Sequence, residues 1–411
     1  MTAMSTTGSA NGDLNFYLRP TDNRTTGGAP PFPYVFAGEP LSIVKPGVIE
    51  FAQRFRSTEV HQAMAALEQE MPGKLRVTAA AMLSLGRRLP VTTDTNLDTS
   101  VNPGTITYAV VDSTGKGPIK ASELTVPLYA SWPSTTTGTA GRANANYQQI
   151  VQLASRANST YEAAMVKLDR YGQHGLSLHA SYTYAHAMDW NPNEGSILGT
   201  SVLDPNNFAL EYGTSNLDTR HTITTMMIYN TPWKFHHRAG KLANGWMLSG
   251  IGRYHSGLPY TMRTAGSLPK EFTLSKSAIV GLGSSLNGLG GDNRIYGTGS
   301  NNVSYNLGRN TYRYPYTWKA DLRLAKNFHL DRERELQLLA ESFNLFNHQN
   351  VTEISTTGYR IEAGSSVNDP PTLTFMNGAT SGSTAFGAPL NVNSTNFYRE
   401  RQIEFGLRLR F

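Results

Sequence analysis

The chain contains no cysteine, which excludes a disulfide-stapled scaffold and thiolate metal sites and suits a protein that crosses an oxidising compartment unfolded. Long apolar runs are missing too. The most hydrophobic stretch, Val77 to Leu85, falls far short of the roughly 18 residues that a helical membrane span requires. Charge is sparse: Asp, Glu, Lys and Arg make up 16% of 411 residues, and the net +6 is spread along the chain. Without a dense basic tract, nucleic acid is not an expected partner. Met1 to Ala10 has neither the basic segment nor the apolar core of a signal peptide. On this reading either the chain is cytosolic or its start is missing.

These absences leave one membrane architecture open. A barrel strand needs only about 10 residues, and half of them can be polar. A mean hydropathy of −0.36 with 39% hydrophobic residues is compatible with that.

Alternation is what the sequence has in abundance. Side chains on a strand point to opposite faces with period two. In Arg401 to Phe411, Ile403, Phe405, Leu407, Leu409 and Phe411 fall on one parity, with Glu404, Gly406, Arg408 and Arg410 on the other. Lys74 to Arg87, Gly175 to His186 and Thr317 to Phe328 repeat the pattern; in the last, Trp318, Ala320, Leu322 and Leu324 oppose Lys319, Asp321 and Arg323. Such runs predict strands that are apolar on one side and wet on the other. Weaker alternation predicts further strands at Thr105 to Val111, Glu123 to Ala130, Tyr161 to Leu168, Thr222 to Tyr229, Trp246 to Tyr254 and Leu336 to Leu345. Val60 to Met71 is ambiguous, because Val60, Ala63, Met64, Leu67 and Met71 also fit helical spacing. The tight turn at Met71-Pro-Gly-Lys74, leading straight into a clear strand, favours a strand.

Connections alternate in length. Short turns are expected at Met71 to Lys74, Ser113 to Gly117, Asp169 to Gly175, Pro232 to Gly245 and Asp331 to Glu335. Between them lie Ser/Thr/Asn/Gly-rich segments at about 88–103, 131–159, 187–218, 256–315 and 348–400. Transmembrane barrels combine tight periplasmic turns with long outer loops, whereas loops of that length are uncommon in a compact soluble domain. Tyr182, Tyr184, Tyr229, Trp246, Tyr254, Trp318 and Phe405 lie on the apolar parity or near strand ends, where amphipathic rings meet the headgroup boundary. The fold expected is therefore all-β, an antiparallel transmembrane β-barrel, partial, with about 11–12 strands.

Residues suited to chemistry have simpler readings. Asp218 and His221 could be assembled with a serine into a triad, but no Gly-x-Ser-x-Gly elbow is present. His236-His237 lacks further ligands at metal spacing. The glycine-rich run from Gly281 to Gly291 lacks the Lys-Ser/Thr pair of a phosphate loop. No catalytic residue, cofactor or metal is expected. The candidate functional groups are charges on the wet parity, expected to face a lumen: Arg253, His255, Lys319, Asp321, Arg323, Glu341, Glu404, Arg408 and Arg410. Loops on a rigid scaffold are the better place for recognition.

Several segments together resemble the carboxy-terminal barrel of TonB-dependent receptors, closest to an Oar-like subgroup. They are Tyr161 to Leu168, His174 to His186, Leu217-Asp-Thr-Arg-His221, Gly245 to Ile251, Ser256-Gly-Leu-Pro259, Leu338 to Asn350 and the terminal strand. The most specific pieces are Phe343-Asn-Leu-Phe-Asn347 and the Arg-Leu-Arg-Phe411 end. The resemblance covers about residues 58–411, with 1–57 read as an irregular or outer-loop segment holding one strand at most. It implies an outer-membrane receptor or transporter for a large solute. The expected partners are outer-membrane lipid, the barrel-assembly machinery engaging Phe411, an unidentified solute, and TonB only if a missing amino-terminal part supplies a plug. Such receptors have about twenty-two strands, and strand number fixes barrel diameter. Half that number implies a carboxy-terminal fragment without a plug domain. A small self-closing porin-like barrel is the alternative, followed by a barrel hydrolase and a secreted glycan-binding β protein.

Overall fold

The computed structural model describes residues 6–8, 14–16, 47–96, 104–128, 143–144, 147, 149–190, 208–236, 240–266, 302–303, 309–330, 334–362, 369–378, 384–395 and 397–411. The elements used below are β1 (Gly47–Phe51), β2 (Glu59–Met71), β3 (Leu75–Asp94), β4 (Gly104–Val111), β5 (Glu123–Leu128), β6 (Gln149–Gln173), β7 (Leu176–Asp189) and β8 (His221–Asn230). They continue with β9 (Trp246–His255), β10 (Arg263–Gly266), β11 (Thr317–His329), β12 (Glu335–Phe343), β13 (Thr357–Glu362), β14 (Thr372–Phe375) and β15 (Gln402–Arg410).

Nine strands build one wall in the order β15-β12-β11-β9-β8-β7-β6-β3-β2, every neighbour antiparallel. With β1 paired parallel to β6 and Gly213–Thr214 paired to β7, the sheet has 11 strands. The ambiguous segment before Pro72 is a strand along its whole length, registered on β3 from Glu59↔Arg87 to Met71↔Leu75. Local helix propensity gives way there to thirteen residues of pairing.

Directly opposed residues share a face, so the register sorts the wall into two surfaces. One carries Trp318, Tyr254, Ile223, Tyr182, Val166, Ala79 and Leu67 in a single row. Rows of Leu322, Met227 and Leu178, and of Leu324, Leu248, Tyr229 and Leu176, lie below it. No second layer covers this face among the described residues: Leu67 is 72% exposed, Leu407 69% and Phe405 83%. The aromatic row at Trp318 and Tyr254 and the row at Lys326 and Trp246 are eight residues apart, about 27 Å along a strand. At the usual tilt that projects to about 20 Å, near the height of a barrel's apolar band.

The two rims differ as the loop lengths predict. All short connections of the wall, 72–74, 174–175, 231–245 and 330–334, lie at one rim together with the end of β15. The β6–β7 turn is tight: Gly172 (φ +59°), His174 (φ +51°) and Gly175 (φ +81°) are left-handed. A methyl on Gly175 would sit 1.9 Å from the Asn230 carbonyl oxygen. Gly175→Ala is therefore expected to lower stability by about 1–3 kcal/mol, read as a fall in the urea midpoint of the detergent-refolded protein at unchanged slope.

At the other rim the structure corrects the sequence reading. The segments read as wall strands at Thr105 to Val111 and Glu123 to Ala130 are not in the wall. As β4 and β5 they form a hairpin in a separate six-stranded sheet ordered Asn302–Val303, β10, β13, β14, β4, β5. Alternation reports that a strand has two unlike faces; it does not report which sheet the strand joins. The segments 256–315 and 348–400, read as long loops, supply most of this second sheet. Its core is dry: Tyr108, Met262, Tyr359 and Leu373 are nearly or fully inaccessible. The Tyr359 hydroxyl accepts from the Ile119 N–H at 3.0 Å. Burial tends to push the Asp112 carboxyl up, but hydrogen bonds from the Thr114 side chain and the Gly117 N–H outweigh it and hold the group below its ordinary value.

A neighbouring ring cluster joins Tyr260, Tyr312, Tyr314 and Phe386, with centroids 5.1–6.1 Å apart, and reaches Phe375 of β14. Burial pushes the Tyr260 phenol up to about 12, against about 10 in an unfolded chain. The folded state favours the neutral ring, so this stabilisation is complete below pH about 10 and is lost as pH rises from 10 towards 12. Titration of the tyrosinate ultraviolet band should show a late class of tyrosines, and Tyr260→Phe should shrink it.

Candidate functional site

All nine candidate charges lie on the face opposite the Trp318–Tyr254 row. They form separate groups along it. Nearest the loop rim, β9 and β11 place Arg253 directly opposite Lys319 and His255 opposite Thr317. Two cations side by side on neighbouring strands repel, and the surroundings compensate. Asp321, two residues along β11, lies 3.1 Å from Lys319 Nζ. The ring of Phe397 receives Lys319 Nζ at 4.4 Å and Arg253 Cζ at 5.4 Å from its centroid, attracting both through the negative face of its quadrupole.

Tyr398 completes the group. Its hydroxyl lies 2.8 Å from His255 Nε2 and 2.9 Å from Thr317 Oγ1, which is itself 2.8 Å from His255 Nε2. Phe397 and Tyr398 come from the stretch just before β15, and an asparagine scaffold holds that stretch in place. Asn344 (φ +49°) accepts from the His348 N–H at 3.0 Å and donates to the His348 and Arg399 carbonyls at 3.0 and 2.9 Å, while its own N–H donates to Asp321 at 2.9 Å. Asn347 accepts from the Arg401 N–H at 3.0 Å. Asn350 accepts from the Trp318 N–H at 2.8 Å, and its N–H donates to Asn393 at 2.9 Å. Between these elements lies a small cavity of about 130 Å³, bordered by Lys319, Asn344, Asn350, Phe397 and Tyr398.

The remaining candidates sit further down. Arg323, Glu341 and Glu404 share one row, with Arg323 paired to Glu341. Arg408 lies opposite Gln337, away from the other groups, and Arg410 meets Glu335 at 3.5 Å beside His329 at the turn rim. Phe411 follows at that rim, 95% exposed. Thus Arg253, His255, Lys319 and Asp321 come together, Arg323, Glu341 and Glu404 form a second group, and Arg408 and Arg410 belong to neither.

Sequence reasoning missed Thr317, Asn344, Phe397 and Tyr398. Only Asn344 carried a signal, inside Phe343-Asn-Leu-Phe-Asn347. It also missed a clamp at the loop rim. Asp218 is closed off from solvent; its carboxylate pairs with Arg313, lies 3.5 Å from Arg220 and accepts the Ala187 N–H at 2.6 Å. Arg313 donates further to the Asp218 and Gly257 carbonyls. His221 turns elsewhere, with Nδ1 2.9 Å from the Tyr182 hydroxyl and its ring beside Tyr184. The pair that could have suggested a triad makes separate contacts.

His237 and the run Gly281 to Gly291 lie outside the described residues. Among the described residues, no three His, Asp or Glu side chains group as a metal site, and no helix is long and apolar enough to cross a membrane. What the polar face offers is paired charge and hydroxyl donors at strand ends, suited to holding a polar surface or solute.

A protein-family model described as an outer membrane beta barrel domain matches residues 2–403. No curated protein matches the chain. Among solved structures, the chain is similar to the ferric-catecholate import receptor Fiu from K12 E. coli in its closed form, at 12% identity and a TM-score of 0.34, covering 75% of this chain and 26% of that one. It is also similar to the outer membrane transporter YddB from Escherichia coli, at 7% identity and a TM-score of 0.37, covering 74% of this chain and 31% of that one. The chain spans less than a third of either structure's length.

Proposed function

Because the chain belongs to the outer membrane β-barrel domain family, we propose that it is the carboxy-terminal wall of a TonB-dependent receptor of the Oar-like subgroup, serving uptake of a large solute across the outer membrane. Residues 58–411 form the barrel part in this reading, and 1–57 an outer segment. The observation that carries it is the asymmetry of the rims. The short turns that join wall strands share one rim with Phe411, while the long connections at the other, together with the β4–β5 hairpin and its own short turn, supply a second sheet with its own core. A built outer layer on a rigid wall is where recognition is expected.

The asparagine scaffold supports the resemblance carried by Phe343-Asn-Leu-Phe-Asn347, since Asn344 and Asn347 tie the end of β12 to the stretch that leads into β15. Lys319, Arg253, His255 and Asp321 face the lumen and contact solute or plug; Arg323, Glu341, Glu404, Arg408 and Arg410 balance charge below them. Phe411, exposed at the turn rim, is the handle for the barrel-assembly machinery, and lipid covers the apolar face. TonB enters only through a plug carried by another segment. A self-closing porin is the second reading, and the free edges of β2 and β15 weigh against it.

Expressed with a supplied signal peptide, the chain should fractionate with the outer membrane and give no uniform channel in planar bilayers. Recovery in the soluble periplasm would remove the membrane reading, and a discrete reproducible conductance would favour the porin.

A further inference from the structure

Among the described residues the wall has nine up-and-down strands, and that number is odd. β2 descends from the loop rim to the turn rim, because the turn at its end leads into β3. β15 also descends, because it pairs antiparallel with β12, which leaves the turn rim at Glu335. The two edges therefore point the same way, and every residue of both is exposed.

Closing the wall on itself would require a parallel seam in a sheet that is otherwise antiparallel along its whole path. Bacterial single-chain barrels avoid this by having an even number of strands. A second copy does not help. Inserted in the same membrane with the same orientation, it too presents only descending edges, and every seam is again parallel. Nor do the residues ahead of β1 read as a spare span: Thr6–Gly8 and Leu14–Phe16 pair with each other as a separate three-residue ladder. Residues 20–46 hold six prolines, each lacking the N–H that a central strand must donate. The longest proline-free run there, Thr21 to Ala29, has a single apolar side chain, its last residue, where a span needs about 9–11 alternating residues.

Charge at one edge specifies more. Glu404 of β15 lies directly opposite Glu341, whose carboxylate is held by Arg323. Like charges so placed are unfavourable, and Glu404 has no ion-pair partner among the described residues. Its outer flank is the open edge.

From this geometry we infer that the wall is completed by a polypeptide segment beyond these nine strands that contributes an odd number of transmembrane strands, ascending at both seams, with a cation facing Glu404. The inference rests on the reading of this sheet as a membrane wall and adds what its missing part must be. One strand, or three, restores antiparallel pairing at both edges. Two cannot.

The test grafts the chain's own strands onto the amino terminus of the 411-residue chain. One variant adds a copy of Trp246–His255, which ascends; the other adds a copy of residues 221–255, a descending and an ascending strand. Amide exchange in detergent micelles is followed at Glu59–Met71 and Gln402–Arg410. In the unaltered chain both edges should exchange rapidly. With one added strand, exchange at both edges should slow by about 100-fold, as edge amides enter the ladder. With two, at least one edge should remain fast. A lysine placed at the position of the added strand that faces Glu404 should strengthen that protection and Glu404→Gln should remove the gain; no gain would remove the cation from the inference.

Slow exchange at both edges of the unaltered chain, as a monomer or a dimer, would overturn the inference. So would equal behaviour of the two grafts. Recovery of the unaltered chain as a soluble protein would instead remove the membrane reading beneath it, so the two failures are distinguishable.

Discussion

Asp218→Ala is expected to destabilise the loop rim by about 3–5 kcal/mol, the usual consequence of removing one partner from a buried ion pair. The carboxylate is inaccessible and serves Arg313, Arg220 and the Ala187 N–H together. Its loss leaves two guanidinium groups facing each other and a backbone donor unsatisfied. Arg313 also holds the Gly257 carbonyl, so the damage spreads from the β7 end to the connection after β9. The wall should survive, because its ladders lie below. Limited proteolysis should therefore cut the Asp218→Ala protein around 208–220 and 256–316 much faster than the parent, while the wall strands stay protected. Asp218→Asn, which keeps the acceptor oxygen for Ala187, should fall between the two.

Leu322→Arg is the second large effect. Leu322 lies midway between the Trp318 row and the Lys326 row on the apolar face. An arginine at that depth against lipid costs about 2–4 kcal/mol. The control is Ile251→Arg, which sits one row away on the opposite face, directly across from Asp321. There the new cation meets water and a carboxylate, and the change should be within about 0.5 kcal/mol. Refolding both proteins into lipid vesicles and comparing denaturant midpoints gives the contrast. Equal effects would mean that the two faces see the same medium, and the membrane assignment of the Leu, Val and Tyr rows would fail.

The wall was legible in the sequence wherever period two ran long enough. The β11 register follows from Trp318, Ala320, Leu322 and Leu324 alternating with Lys319, Asp321 and Arg323, since a one-residue slip would send every charge to the apolar side. The rims were legible from loop length. What alternation could not supply was partnership. β4 and β5 have the same two-faced pattern as wall strands, and only the partners Leu373 and Pro371 beside Ala109 and Val110 show that they belong above the wall.

The polar groups divide in the same way. Lys319 and Arg253 were visible because they sit on regular strands. Tyr398 was not: it approaches His255 across 143 residues from an irregular stretch. The Asp218–Arg313 contact spans 95 residues and has no local signature.

The unequal length of the wall strands sets how far the protein stands out from the cell. β3 and β6 have 20 and 25 residues, about twice what a bilayer crossing uses. Pro90 is tolerated in β3 because β2 ends opposite Arg87, so that β3 has lost one neighbour by then. The surplus forms a two-stranded mast whose tip rises about 20 Å beyond the headgroups once tilt is included, with β1 braced along its flank. Val91, Thr92, Val151, Ala154 and Ala157 are buried along it, so the mast is a packed post, stiff enough to carry other parts of the chain at that height.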